Sequence, residues 1–405
     1  MFAGEGPLLH PPAQPRARRK ARLAAPDVLF SEAERETMHE QLKINWYRCR
    51  VDKALMSELM RRSDARALAQ VIPQLLLFVA TGTLAYLAYA HVHAKNWPWA
   101  LPLLLLALFV HATLSRFLFV APIHELIHKT PFRTPAWNEF FLKIYAFLSW
   151  ADYVGFRISH VKHHQATVHH DEDGEVVLPQ GLDWYGVKFF AARLTFSPVR
   201  IMRSVRNWVA AAQGKLSICD EFFSVEWLRR ILPESSVALR REHRRWARIV
   251  VFGHLALAAL FIATGHWFLI VIVTLGCQCC NWLAIACSYP QHVGLAPDVS
   301  DFRLCTRTYT CGWLPAFLYW NMQYHVEHHM FPAVPFYNLP RLRRAIEHDL
   351  PPVTHGLWAT WRDILPILRR QRADPTYFFV PRLPEHAGER VADAVIQREA
   401  AQAGS

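Results

Sequence analysis

The sequence predicts an all-α integral membrane protein: four transmembrane helices in two hairpins, with a helical cap on the cytosolic side. Three observations predict it. Long stretches carry no charge, and nearly every Lys and Arg falls on one side of the arrangement those stretches impose. The third is the placing of the 22 His, many of which crowd at helical spacing beside the ends of those stretches.

Composition already argues against two or three soluble domains of about 150 residues. Of 405 residues, 52% are apolar and 13% aromatic, and only 19% are charged, below the ~25% usual for soluble domains. Eight Cys are too sparse for a secreted disulfide framework. The formal charge of +12 suits either nucleic acid or an anionic membrane surface, and its distribution decides between them.

Residues 1–30 read as a disordered basic lead, with Pro11, Pro12 and Pro15 before Arg18-Arg19-Lys20 in place of an apolar signal core. Residues 31–68 read as cytosolic amphipathic helices, opened by a capping box of Ser31 and Glu34. The membrane domain is expected over 69–346. Ala69 to Ala90 runs 22 residues without charge, and Trp97 to Ala121 runs 25 with only Arg116. Each is long enough for one span, which needs roughly 20 apolar residues. Ile249 to Tyr289 runs 41 residues with no charge, too long for a core helix of a soluble protein. It is read as two spans, about 247–264 and 267–289, folded at Thr264-Gly265-His266. Phe140 to Ile158 and Thr310 to Trp320 are too charged or too short to cross and read as interfacial pieces. Residues 347–405 complete the chain as a cytosolic segment whose tail, after about Arg382, is polar and mobile.

Charge orients this arrangement. Residues 1–68 hold 13 Lys and Arg, 129–248 hold 18, and 288–405 hold 12. With two hairpins these all share one side, and Lys and Arg collect on the cytosolic side. The basic character therefore needs no nucleic-acid partner. Arg outnumbers Lys 36 to 9, a bias that suggests a GC-rich bacterial genome and hence a bacterial inner membrane, with both termini in the cytosol.

The histidines fall on that same side. His124 and His128 stand in HELIH past the second span, and His160, His163 and His164 in HVKHH. His292 follows the fourth span, and His325, His328 and His329 stand in HVEHH. Positions i, i+3 and i+4 share one helix face, so each HxxHH group is expected to point three imidazoles to one side. Clustered imidazoles repel once protonated, whereas a metal uses them neutral. Nine are too many for one ion and suit two. Imidazole serves Zn, Cu, Fe and Ni alike. A hydrolytic zinc needs only about three protein ligands and a water, while a nitrogen-rich pair beside a bilayer suits O2 held between two irons.

These boxes, with Trp320 to Leu342 around the third, resemble the membrane-bound fatty-acid desaturase and hydroxylase superfamily over roughly Ala69 to Ile346. His292 in YPQHVGL matches the family's extra ligand, and Thr306-Arg307-Thr308 is similar to the family's sequence beyond it. The resemblance implies a cytosolic cap carrying a diiron site, O2 as co-substrate and oxidation of an acyl chain, as acyl lipid, acyl-CoA or acyl carrier. The expected reaction is introduction of a double bond. The first box departs from animal acyl-CoA desaturases, which have four residues between its histidines. Those enzymes also place a water-binding Asn where Ser288 stands. HEL-x-HK, from His124 to Lys129, resembles alkane hydroxylases, so hydroxylation or decarboxylation stays open beside desaturation.

No haem or flavin domain is visible, so electrons are expected from an external donor: a ferredoxin, rubredoxin or cytochrome with its reductase. Cys277, Cys279, Cys280 and Cys287 lie within the fourth span and read as small apolar residues. Asn321, four residues before His325, is a candidate supporting group for the ligands. So are His169, His170, Asp171 and Asp173 in HHDEDGE, a stretch that reads first as a solvated acidic loop. His111 and His254, inside spans, read as helix–helix hydrogen-bonding groups. Two rival functions remain. HELIH fits the HExxH zinc-protease motif with Glu125 as base, which leaves seven histidines without a role. A metal transporter would want polar residues along the spans, and the uncharged stretches offer few.

Overall fold

In the computed structural model, which describes residues 44–176, 197–217 and 224–385, the first uncharged stretches form long helices. The lead, the Ser31–Glu34 box and the far tail lie outside the described residues. A short helix, α1 (Lys53–Leu59), is capped by Asp52. Ser63 caps α2 (Asp64–His91), its hydroxyl accepting from the Arg66 amide. In α2 the Asp64 carboxylate accepts from the amide and hydroxyl of Thr134 at 2.9 and 2.8 Å, fixing the foot of the helix to the turn that leads into the next helix. α3 (Trp97–Leu118) packs back against α2. Pro122 has no N–H to give, and the helix passes it through a wider π turn, Phe119–Ile123, before resuming as α4 (His124–Ile127).

A layer of shorter helices follows: α5 (Pro135–Leu148), α6 (Tyr153–Gln165), α7 (Pro198–Ala212) and α8 (Val225–Ile231). α9 (Val237–Ala263) starts with its arginine-rich turns and continues as an apolar helix. Beyond Gly265 come α10 (Trp282–Ser288), α11 (Phe302–Cys305), α12 (Trp313–Leu318), α13 (His325–Met330), α14 (Leu339–Ile346) and α15 (Leu357–Ala373). Two short strands, β1 (Tyr309–Thr310) and β2 (Thr354–His355), pair in parallel.

Among the described residues, three helices are long and apolar enough to cross a membrane: Asp64–His91, Trp97–Ile127 and Val237–Ala263. The protein is thus a helical membrane protein. The expected span at 267–289 is not one helix. It is broken into a π turn at Ile270–Thr274, a 3₁₀ turn at Gly276–Gln278, and α10. Cys280, at φ 54°, turns the chain between the last two. Such breaks persist in an apolar layer only where neighbours take up the released carbonyls. Here they do: His111 Nε2 donates to the Ile272 carbonyl at 3.1 Å and Trp150 to that of Thr274 at 2.8 Å. Trp361 donates to Ala286 at 2.8 Å, and the Tyr309 hydroxyl to Cys287 at 2.6 Å. His254 donates to the Phe147 carbonyl at 2.9 Å, so both intramembrane histidines act between helices. The four cysteines of this segment are buried, and none is in a disulfide among the described residues.

α6 is held in place by its neighbours. Asp152 caps it, accepting from the Gly155 amide at 3.2 Å, and its other oxygen meets His243 of α9 at 3.0 Å. Trp246 of α9 donates to the Ala151 carbonyl, and Trp227 of α8 to the Ser159 hydroxyl, both at 2.8 Å.

Candidate metal centre

Four pieces of chain bring the nine histidines together at one end of the long helices. The π turn delivers His124 and His128, and α6 delivers His160, His163 and His164. A 3₁₀ turn at Tyr289–Gln291 presents His292, and α13, buried along its whole length, presents His325, His328 and His329. They form two groups: His124, His128, His160, His164 and His328, and then His163, His292, His325 and His329. In each group the nitrogens lie within 4.8 Å of one another.

The one-sided reading of the boxes was too coarse. In α6 the i, i+4 pair, His160 and His164, joins the five-ring group while His163 joins the other. In α13 the pair His325 and His329 joins the four-ring group while His328 crosses over. A step of three residues falls about 60° short of a full turn and a step of four about 40° past it. Opposite departures from one line are enough to address two neighbouring centres.

Hydrogen bonds on the outer nitrogens settle which inner nitrogens carry lone pairs. His160 Nδ1 faces a Glu175 carboxylate oxygen at 2.8 Å and His163 Nδ1 an Asp173 oxygen at 2.7 Å. His292 Nδ1 faces the Cys305 carbonyl at 3.0 Å. The Thr167 hydroxyl gives its proton to the His163 carbonyl at 2.6 Å and so accepts from His329 Nδ1 at 3.1 Å. Carboxylates and carbonyls only accept, so Nδ1 is the donor in each ring and the neutral ring turns an Nε2 lone pair inward.

The inner Nε2 atoms of the rings lie close together. Nε2 of His160 lies 3.1 Å from that of His128 and 3.0 Å from that of His164, which is 3.1 Å from that of His328. In the second group His325 Nε2 is 2.9 Å from His292 and 3.0 Å from His329. Nitrogens bound about 2.1 Å from a metal and at right angles to each other stand about 3.0 Å apart, whereas tetrahedral angles open that to about 3.4 Å. The donor set therefore fits cations with more than four coordination positions. His124 is buried with neither ring nitrogen hydrogen-bonded among the described residues, another nitrogen ready for a metal.

Electrostatics agree. Burial pushes His128, His160, His164, His325, His328 and His329 well below the ordinary histidine range, and neighbouring imidazoles push the same way. Burial takes His292 down to about 3. For His163 burial also opposes charge, but the Asp173 carboxylate outweighs it and holds the ring above its usual value. Glu125 is fully buried, its Oε1 3.4 Å from His124 Nδ1 and 3.6 Å from His328 Nδ1.

The supporting groups differ in part from those expected. Asp173 contacts a cluster histidine directly; Asp171 sits at a turn, φ 61°. His169 Nδ1 faces the Thr167 carbonyl at 3.0 Å and His170 Nδ1 meets Asp298 at 2.5 Å, and among the described residues neither hydrogen-bonds to a ring of the nine. Asn321 donates to the Phe336 carbonyl at 3.3 Å and, at φ 56°, helps turn the chain ahead of α13. Sequence reasoning missed Glu175, Thr167 and the Cys305 carbonyl. Only Glu175 left a signal, as the last acidic residue of HHDEDGE. It also missed the buried anchor behind α13, where Glu327 accepts from Thr308 and, at 3.2 Å, from Arg343.

A helical membrane protein with two buried histidine clusters at one end of its spans is equipped for metal-dependent oxidation, and the comparisons with known proteins define the class further. The chain belongs to the fatty acid desaturase family, whose pattern it matches over residues 95–361. It is similar to a sphingolipid delta(4)-desaturase of Candida albicans, 25% identical over 287 residues that cover 68% of this chain and 70% of that protein. It is an oxidoreductase of the desaturase and hydroxylase type, acting on lipid at a membrane, and its histidine clusters suit an iron-type cofactor. The zinc-protease reading of HELIH falls away.

Proposed function

We propose that this chain is an O2-dependent membrane diiron desaturase that introduces a double bond into an acyl chain with electrons from an external donor. The observation that carries the reading is the pair of inward-facing imidazole groups, five and four strong, lodged against the membrane-spanning helices. His124, His128, His160, His164 and His328 would hold one iron, and His163, His292, His325 and His329 the other. Bound there, the irons supply the one-electron chemistry with O2 that an unactivated C–H bond requires. The chain's own part is to hold the rings. Asp173, Glu175, Thr167 and the Cys305 carbonyl fix the tautomer and tilt of His163, His160, His329 and His292. Glu125 lies beside one ring from each of two boxes, and burial keeps water from the cluster.

The name of the relative favours an acyl chain presented within a membrane lipid, ahead of acyl-CoA or an acyl carrier protein. A ferredoxin, rubredoxin or cytochrome with its reductase would supply the electrons. We place the membrane domain at 69–346 and read the broken segment as a fourth crossing. Its contacts support this: Phe268 stacks on Tyr89 at the far end of α2, Ile272 packs against Gly82 midway, and Gly276 lies against Ser115 near the cluster. The metal centre would then face the cytosol of a bacterial inner membrane.

The HEL-x-HK pattern of the first box favours a second reading, hydroxylation or decarboxylation on the same scaffold. Lipid analysis of cells grown in air with and without the protein separates them. A new alkene marks the desaturase, while a new alcohol or terminal olefin replaces that reading. His163→Ala and His328→Ala should each abolish product while the protein stays in the membrane; normal product from both would sink the assignment. Two irons per chain, measured on purified protein, is the expected metal content.

A further inference from the structure

Behind α13, on the side away from the histidines, lies a cavity of about 700 Å³ lined by Arg307, Arg343, Arg362, Arg370 and Arg382 against a single carboxylate, Asp363. Two of the arginines are committed to the protein. Arg343 pairs with buried Glu327 at 3.2 Å, and Arg307 holds the His292 loop through the Pro290 carbonyl and, at 3.1 Å, that of Val293. Arg307 Nη2 is nonetheless buried without a hydrogen-bond partner among the described residues. Arg362, Arg370 and Arg382 are exposed, and no carboxylate salt-bridges them among the described residues. Setting Arg343 against Glu327 and one arginine against Asp363 leaves a surplus of about three positive charges in a concave site.

The surroundings are apolar and exposed. Trp313 and Trp358 stand 80% and 81% exposed, next to the β1–β2 pair whose Thr354 lines the cavity. Phe379, also on the cavity wall, and Val380 are exposed at the other end of α15. Exposed Trp on a membrane protein belongs in the interfacial layer, ring toward the acyl chains and N–H toward the headgroups. A cationic hollow flanked by such residues sits at phosphate depth, and its volume is that of a small-molecule site, not of a flat protein contact.

We infer that this cavity binds the phosphate-bearing headgroup of an anionic membrane lipid, with Arg362, Arg370 and Arg382 as its exposed donors, Arg370 lying over the Tyr377 ring at 4.1 Å. The site is distinct from the metal centre and needs no iron to be occupied, so its failure would leave the oxidoreductase reading untouched.

The test uses the full-length protein purified in detergent and offered phosphatidylglycerol against phosphatidylcholine, with retained lipid counted by mass spectrometry. The wild type is expected to retain phosphatidylglycerol selectively. Arg362→Gln, Arg370→Gln and Arg382→Gln should each weaken that retention roughly fivefold, as for one arginine near an anionic surface. Asp363→Asn should strengthen it, an opposite change that misfolding would not produce. Equal retention of the two lipids, or no response to either kind of variant, overturns the proposal. So does selective binding of inorganic phosphate without any lipid preference, which would mark a site for a soluble anion.

Discussion

Asp173 accepts from His163 Nδ1 at 2.7 Å, and the same oxygen accepts from the Val168 amide at 2.8 Å while the other takes the Glu175 amide at 2.9 Å. One buried carboxylate thus fixes a ring of the four-histidine group and the loop that returns Glu175 to His160. Replacing it with Asn preserves size but removes the charge that favours an Nδ1 proton. We expect Asp173→Asn to lower metal affinity by about 10–100-fold, with product falling in parallel and the protein still extracted as a folded species. Unchanged metal content across a chelator titration would show that the contact is structural only.

The local part of this site was legible because it is local. HVKHH and HVEHH announce helices with clustered rings whatever surrounds them. Which ring serves which centre depends on the angle at which α6, α13 and the His292 loop meet, and no spacing encodes that. Glu175 looked like part of a solvated acidic loop because its role depends on left-handed turns at Val168 and Asp171, φ 58° and 61°. Those turns fold Asp173 and Glu175 back onto α6. The spans at 69–90, 97–121 and 247–264 fall within or run into the long helices. The stretch at 267–289 has the composition of a span, but the break from Gly276 to Cys280 leaves charge and hydropathy unaltered. The π turn just before it is held by donors far away in the chain, His111 and Trp150.

Arg303 is the test of the frame. Its side chain is fully buried, bound to Asp301 and Asp349 at 2.7 Å each, with Tyr47 stacked 3.9 Å from the guanidinium. Removing the cation leaves two buried carboxylates without their countercharge beside the segment that carries His292. Arg303→Met should cost about 3–5 kcal/mol, read as a large drop in thermal unfolding temperature in detergent. A shift of only a degree or two would mean that water reaches the pair.

Acid should empty the site. Seven of the rings, His128, His160, His164, His292, His325, His328 and His329, have their pKa values lowered in the folded protein, against about 6.5 when unfolded. The unfolded chain therefore binds more protons below that value, so stability from these groups is complete above pH ~6.5 and declines as pH falls toward the folded values. His163, raised by Asp173, has the opposite sign: its contribution is present at low pH and is lost as pH rises through its folded pKa. With seven groups against one, metal retention and thermal stability should fall together on going from pH 7.5 to pH 5. Iron content after dialysis across that range checks it, and a retention that rises toward acid would contradict the tautomers assigned above.

The crossing of the boxes makes the sharpest prediction, because it separates neighbours in sequence from neighbours in space. His163 and His292 are 129 residues apart yet share a group, whereas His160 and His163 share a box and serve different groups. The double variant His163→Ala with His292→Ala damages one group of four and leaves the five-ring group whole, so it should retain about one iron per chain. The double variant His160→Ala with His163→Ala deletes the same number of rings but takes one from each group. It should bind both metals weakly and lose them to a mild chelator. Both proteins should be inactive, so the readout is iron per chain and its chelator resistance. If the two variants hold the same amount of metal with the same resistance, each box serves a single ion and the crossed arrangement is wrong.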